Sequence, residues 1–484
     1  MIQTSAVASD AFPTRPSFAV PQPTTAATII FLAGLFVTGI SLSGDTASAV
    51  ARHGAIGCGV SLAFSLWVEG KTGIENLLRA DLVAMFALYF LLFFEFLFPQ
   101  SKFDDLVPYP DAVLPSIRLC LLAFAGIAVG RHCVPRQLGK WEFARTDLSP
   151  RAMLLIFWIS FAVGYFHMLL AVDFNPVTMV DQFMGPRFSE AWGREQFGDA
   201  RALLFELGAM LYLVPPLAGI ILGRRKLYSR AMLLLVLLAL LFTLFYGFCT
   251  GTRNIIGSYL VTFLAAYIYA SKPSRRQLLV MTTIVSAILF LATYYEIRFR
   301  DVGLKNYLQG LDVESEQDEE TTLFIDYNLY TVGALMSIFP RQVPYIGWDS
   351  PVWLIVRPIP RALWPGKPDG SKVSIENILG LEGVTLAATF VGESYVAGGL
   401  IAVMIASVLV GMLAQWWTRK AFSPESGFGI LIYGSGFFAV VITMRSMYWL
   451  PVAILPTVGA IVLGQFFLRE HRVTNSSLLA RQPR

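Results

Sequence analysis

Arginine recurs along this chain where such a side chain is costly to keep. In DQFMGPRFSEAWGREQFGDAR, residues 181–201, Arg187, Arg194 and Arg201 return every seventh residue, with Trp192 and Phe197 between them. If this stretch is helical after Pro186, the three guanidiniums form one stripe. The alternative is an interfacial amphipathic helix with Glu190 and Arg194 as a solvated pair. Arg253, in GTRN, sits in a turn between two apolar runs and must face a cavity or a headgroup, or snorkel to the interface. Arg298 and Arg300 in EIRFRD leave the end of one apolar run, and Arg445 in ITMRSMYWLP leaves another.

The densest stretch is 351–372, PVWLIVRPIPRALWPGKPDGSK, with five prolines, Arg357, Arg361, Trp364 and Lys367. Proline fixes φ and removes a backbone donor, so the stretch reads as a shaped loop, ordered by Trp348, Trp353 and Trp364. Glu393 follows in GESYVAGG and opens the next apolar run among small residues, as a base in a cavity or as the partner of an arginine. The run DVESEQDEE at 312–320 lacks the order and the glycine of a calcium loop and reads as a solvated acidic turn. Glu95, Arg118 and Glu206 fall within apolar runs, where each is expected to face the bundle interior. No HExxH, paired CxxC or GxxxxGK[ST] occurs. Neither a metal, a disulfide nor a nucleotide is expected, and no cofactor.

The elements that carry these residues are membrane helices. The 484 residues are 55% hydrophobic and only 14% charged, with mean hydropathy +0.61. Soluble domains carry about 25% charged residues, so an all-α polytopic membrane protein is indicated. The balance of 37 basic against 33 acidic residues is no signature of nucleic-acid binding. Runs long enough for a bilayer core of ~30 Å fall at about 26–43, 48–68, 80–98, 112–130, 152–172, 202–223, 231–249, 255–271, 278–296, 397–417, 427–444 and 449–468, about twelve in all. The basic connections 131–151, 224–230, 272–277 and 418–420 fall on one side with both ends of the chain. By the positive-inside rule that side is cytoplasmic. The chain thus divides into an amino-terminal tail (1–25), helices one to nine (26–296, with an outer loop at 173–201), one large outer loop (297–396), helices ten to twelve (397–468) and a cytoplasmic tail (469–484). Residues 1–25 have no apolar core, so no cleaved leader is expected.

An outward site rich in arginine suits pyrophosphate and carboxylate, which guanidinium meets as a fork. Substrates at that depth carrying pyrophosphate are lipid-linked sugars. Departure of a polyprenyl pyrophosphate leaves negative charge that fixed guanidiniums can meet. A carboxylate can take the proton of an acceptor hydroxyl.

The segments IPRALWPGKP and GESYVAGGL, GTRNIIG opening a helix, and PRF…WGREQFGD before YLVPPLAG resemble the Wzy-type O-antigen (oligosaccharide repeat unit) polymerases. So does the ten-residue interval between Arg187 and Gly198. The resemblance covers roughly residues 150–468. It implies a GT-C-like, metal-independent glycosyltransferase of the bacterial inner membrane with its active site facing the periplasm. Such an enzyme moves a growing glycan from one undecaprenyl-pyrophosphate carrier onto a newly arrived repeat unit. A chain-length regulator and a repeat-unit flippase are implied partners, beside membrane lipid. On this basis Glu393 is the expected base. Arg253, Arg357 and Arg361 are expected at the reacting centre, and Arg187, Arg194, Arg298, Trp364, Lys367 and Arg445 at the substrate. O-antigen ligases are expected to use a histidine in the large outer loop, and 297–396 contains none. A transporter or flippase of lipid-linked sugars, and a structural or scaffold role in which the arginines are individually dispensable, are the remaining alternatives.

Overall fold

The computed structural model describes residues 20–135, 138–187, 189–192, 206–300, 302–310, 328–357, 359, 364, 366–367 and 387–479. Among them every regular element is helical, and nine helices are long and apolar enough to cross a membrane. The chain is an all-helical polytopic membrane protein. Three more of the expected spans appear as shorter apolar helices: α1 (Thr25–Ser41), α3 (Ala80–Leu92) and α7 (Val214–Gly223, entered through a 3-10 turn at Gly208–Leu213).

The remaining elements follow in order around these. They are α2 (Ala47–Gly70), α4 (Pro110–Gly130), α5 (Pro150–Ala171), α6 (Pro176–Phe183), α8 (Arg230–Cys249), α9 (Arg253–Ser271) and α10 (Arg275–Phe299). Then come α11 (Asn328–Ile338), α12 (Asp349–Val356), α13 (Thr389–Ala421), α14 (Gly427–Arg445) and α15 (Leu455–Leu479). Two apolar cores form. Helices α1–α4 with α11 enclose one around Phe31, Leu88, Phe124 and Leu329. Helices α5, α7, α8 and α9 enclose the other around Phe157, Leu217 and Ala266.

Helix α14 joins the two cores. Its sequence GFGILIYGSGFFAVVITMR is apolar all round, and 89% of its span is buried, against 11% for the peripheral α10. Small residues permit the tight crossings. Gly126 and Gly130 of α4 lie against Ser407 and Val408 of α13, and Gly411 lies against the Ile127 carbonyl, with no room for a Cβ. In lipid, where no hydrophobic force drives helices together, such backbone approach is what packing depends on.

Several expectations are corrected. The hundred residues 297–396 are not simply a loop between helices. Apolar α11 packs into the first core, and the Asn328 amide donates to the Leu91 carbonyl at 2.8 Å. The opening of the 351–372 stretch is helical rather than irregular, because Pro351 falls in the first turn of α12, where its missing N–H has no helical partner to lose. Helix α13 begins at Thr389, before the expected 397, so Glu393 lies inside it. Helix α15 runs on to Leu479, past the expected end at 468. Arg118 is exposed rather than interior and reaches the Gly39 carbonyl at 3.3 Å. Glu95 is buried, as expected, and Glu206 is half-buried.

Candidate functional site

Helix α13 is broken after its second turn. Gly398 (φ −174°, ψ 31°) and Gly399 (φ 66°, ψ −151°) leave helical geometry, and the second of these conformations is open almost only to glycine. The break frees carbonyls that the segment before α12 satisfies: Ile346 N–H donates to Val396 O at 3.0 Å and Gly347 N–H to Ala397 O at 2.9 Å. Tyr345 covers Gly399 so closely that a Cβ there would stand 2.6 Å from the phenol oxygen. The short helical piece so isolated, 389–397, carries Glu393.

The Glu393 carboxylate is buried, and the link after α14 holds it. Ser446 Oγ donates to Oε1 and the Met447 N–H donates to Oε2 at 2.7 Å. A carboxylate has about four lone-pair positions, so with the Tyr448 backbone N–H also directed at it the group still has room for one further proton or donor. Arg357, at the end of α12, exerts a favourable electrostatic effect on Glu393. Its guanidinium carbon lies 3.9 Å from the Trp449 ring centroid, a cation–π contact that fixes its place. Ser350 and Tyr448 share a hydrogen bond of 2.7 Å that ties α12 to the same link.

Lys367 joins this group by a different route from the one expected. Its ammonium donates to the Arg357 carbonyl at 2.6 Å and the Ile359 carbonyl at 2.8 Å, and it lies 5.5 Å from the Trp353 ring centroid. Two of its three donors are thus spent on bracing the chain around Arg357. Trp364 is 41% exposed, and its carbonyl accepts from the Lys367 N–H at 3.0 Å. Arg361 and Arg194 lie outside the described residues.

The other expected arginines stand at several places, Arg445 directly before Ser446 at the end of α14. Arg187 N–H donates to the Arg300 carbonyl at 3.1 Å, and the Arg300 side chain lies over Gly251, two residues before Arg253. Arg253 opens α9 and lines a small cavity with Phe86, Phe90 and Val441. Arg445 acts electrostatically on Tyr212, whose ring stacks on Phe438 at 3.6 Å. Arg298 is exposed and lies on the Tyr294 ring, its carbon 4.1 Å from the centroid. Of the seven-residue stripe, only Arg187 falls within the described residues. Arg187 follows α6 in a non-helical turn, and Arg194 and Arg201 are outside the described residues. Trp192, between them, is a core residue 5.5 Å from the Phe183 ring centroid.

Beneath Glu393 lies a cavity of about 790 Å³ lined mainly by α13 and α14. Its lining contains no charged residue. Ser394 and Met447, immediate neighbours of the carboxylate and of its donor, line its mouth together with Trp348. No cluster of three His, Cys, Asp or Glu side chains spaced to hold a metal ion occurs among the described residues. No protein-family model, curated protein or solved structure matches the chain.

At the opposite end of the bundle is a group that reading by span did not find. Arg79 Nη1 meets Glu69 Oε2 at 3.0 Å and Arg79 Nη2 meets Asp81 Oδ2 at 2.9 Å. Arg131 meets the same two carboxylates at 3.3 and 3.2 Å. All four side chains are fully buried. The Thr24 N–H donates to Glu69, and the Thr28 hydroxyl accepts from Arg131 at 2.7 Å, so the start of α1 is drawn in as well. From the sequence, Arg79 and Arg131 are charges in links. In space they close the ends of α1, α2, α3 and α4.

Proposed function

We propose that the protein is a glycosyltransferase that polymerises undecaprenyl-pyrophosphate-linked oligosaccharide repeat units into O-antigen or a related surface polysaccharide, at the periplasmic face of the bacterial inner membrane. The observation that carries this reading is a buried carboxylate, Glu393, beside Arg357 at the mouth of an uncharged cavity of membrane depth. The resemblance of the sequence to Wzy-type polymerases supports it. A buried carboxylate and an arginine at the end of a membrane span, next to an apolar cavity, suit an amphiphile with an anionic head.

In the transfer, an acceptor hydroxyl oxygen attacks the anomeric carbon of the donor sugar. The bond from that carbon to the pyrophosphate oxygen breaks, and the pyrophosphate takes the electron pair. Glu393 accepts the hydroxyl proton. Arg357, held over Trp449, meets the charge gathering on the leaving group, which is worth most where water is scarce. Lys367 keeps Arg357 in place and adds its own positive field. Arg187, Arg253 and Arg445 serve the second substrate's head from the ends of neighbouring helices. Trp348, with 84% of its surface exposed at the cavity mouth, offers a face for a sugar ring.

The test is incubation of purified protein with lipid-linked repeat units, resolving products by length, for the wild type and Glu393→Gln. The amide keeps the shape but cannot take the proton, and general base catalysis contributes roughly 10²–10⁴-fold. A ladder in the wild type that falls by about that factor in Glu393→Gln supports the reading. Addition of a single block to lipid A–core would make the protein a ligase. Passage of the lipid across vesicles with no transfer would make it a flippase.

A further inference from the structure

Helix α12 turns its polar side to the protein and its apolar side away from it. Ser350, Trp353, Leu354 and Arg357 recur at the spacing of one helical face. That face meets the bundle: Ser350 is bonded to Tyr448, Leu354 lines the cavity, and Arg357 lies on the Trp449 ring. Trp348, Val352 and Ile355 recur at the same spacing on the other face, and they are 84%, 55% and 71% exposed. A hydroxyl and a cation therefore point inward while three large apolar side chains point outward. A loop helix in water would be arranged the other way round.

Exposed apolar stripes mark contact with a protein or with lipid, and the ties of α12 decide between them. The Ser350–Tyr448 hydrogen bond joins it to the opening turn of the span that begins at Met447. The strap before it bonds to Val396 and Ala397, just before the break at Gly398 from which the long part of α13 runs. A helix tied to the ends of two spans lies at the membrane boundary. The stripe also continues a lipid-facing surface. Ile401 of α13 and Ile454, directly before α15, line the same cavity as Trp348 and Leu354, and both are exposed on membrane spans. Trp348 and Trp449, both exposed, flank the helix, and rings with one polar edge collect at headgroup level.

We propose that α12 is a membrane-surface helix whose Trp348–Val352–Ile355 stripe is seated in the lipid interface on the Glu393 side, and that this seat holds Arg357 at headgroup depth. Interfacial helices bury an apolar face in the headgroup and acyl boundary and turn a polar face to water. Here the polar face is turned to the bundle instead, so lipid and protein grip the helix from opposite sides. Arg357 closes α12 on its inward face, and any shift of the helix moves the guanidinium relative to Glu393. The seat is independent of what reacts at Glu393, and holds for any anionic head brought to Arg357.

The experiment uses the full chain in nanodiscs, with Cys133→Ser removing the exposed thiol. A nitrobenzoxadiazole dye is attached at Val352→Cys or, for comparison, at Gln342→Cys, which is exposed and lies off the stripe. At 352 the emission is expected at shorter wavelength than at 342, with weaker quenching by aqueous iodide. Lipid bearing a nitroxide near the headgroup is expected to quench it more than lipid bearing one near the end of the acyl chain. Iodide quenching equal to that at 342 would put the stripe in water. Protection from iodide and from both lipids would put it against protein, of this chain or of a second copy. Either result would overturn the proposal, as would strongest quenching by the deep nitroxide. Because the dye is itself apolar, the label at 352 is also read with Ile355→Leu and with Ile355→Asp. The leucine is expected to keep the lipid quenching and the aspartate to lose most of it; no change in Ile355→Asp would mean that the dye, not the stripe, seeks the lipid. Displacement of Arg357 in Ile355→Asp is expected to lower transfer at least about tenfold, with Ile355→Leu near wild type. Unchanged transfer in a displaced helix would overturn the link between the seat and Arg357. Lipid quenching at 352 with no transfer by any chain would sink the transferase reading and leave the interfacial helix standing.

Discussion

Arg357 illustrates why residue type matters more than charge at this site. Its planar cation lies 3.9 Å from the Trp449 ring centroid, its carbonyl is held by Lys367, and it acts on Glu393. Lysine at 357 would keep the charge and lose both the fork and the flat stacking contact. Arg357→Lys is therefore expected to lower transfer at least about 100-fold at equal protein level, with the melting temperature little changed. Near-normal polymer would remove Arg357 from the site. Arg79 is the opposite case. It is wholly buried and bonded to two carboxylates, at the end of the bundle opposite Glu393. Removing one member of a buried ionic group leaves the others uncompensated, at a cost of about 3–5 kcal/mol. Arg79→Ala is expected to lower the melting temperature in detergent by many degrees. Any protein that survives should show a near-wild-type KM. A stable, inactive Arg79→Ala would instead give this cluster a direct part in the reaction.

At the scale of elements, the break in α13 is what presents Glu393. The Tyr345–Gly347 strap bonds the carbonyls that the break frees, and Gly399 takes a conformation that costs a residue with a Cβ about 1–3 kcal/mol. Gly399→Ala adds that cost to a collision with Tyr345, whereas Gly398 has an extended φ and meets only Ala402 at 3.2 Å. Gly399→Ala is expected to lose transfer far more than Gly398→Ala, measured on proteins of equal amount. Equal effects would mean that the break does not position the carboxylate. This break also marks how far the sequence could be read. Long apolar runs announce their helices, because hydropathy is a local property, and Glu393 stands out as a carboxylate among small residues. The helix break depends on residues some fifty positions away, and the Glu69–Arg79–Asp81–Arg131 group joins links and helix ends across sixty. No local pattern encodes such pairings. The opening of the proline-rich stretch misled for a related reason: a proline forbids helix only where its missing N–H is needed, and Pro351 lies in a first turn.

For the whole molecule the decisive property is which end faces out. The four cysteines make this measurable: Cys58, Cys120 and Cys249 are buried and Cys133 alone is exposed, at the end of α4 beside the Arg131 cluster. Basic links lie at that end, which the positive-inside rule therefore expects in the cytoplasm. Gln342 is exposed near the other end, a few residues before the strap that reaches Val396 and Ala397. A membrane-impermeant maleimide is expected to label Cys133 in inside-out vesicles and not in right-side-out ones. Gln342→Cys in a Cys133→Ser chain is expected to show the reverse. Each site serves as the other's control for leaky vesicles, since labelling on both sides at both positions reports a broken seal rather than an orientation. Inverted labelling at both would turn the molecule over. Glu393 and Arg357 would then face the compartment where repeat units are built rather than the one where they are joined. The flanking arginines would still suit pyrophosphate, but a polymerase of already flipped, lipid-linked units would have lost its substrate.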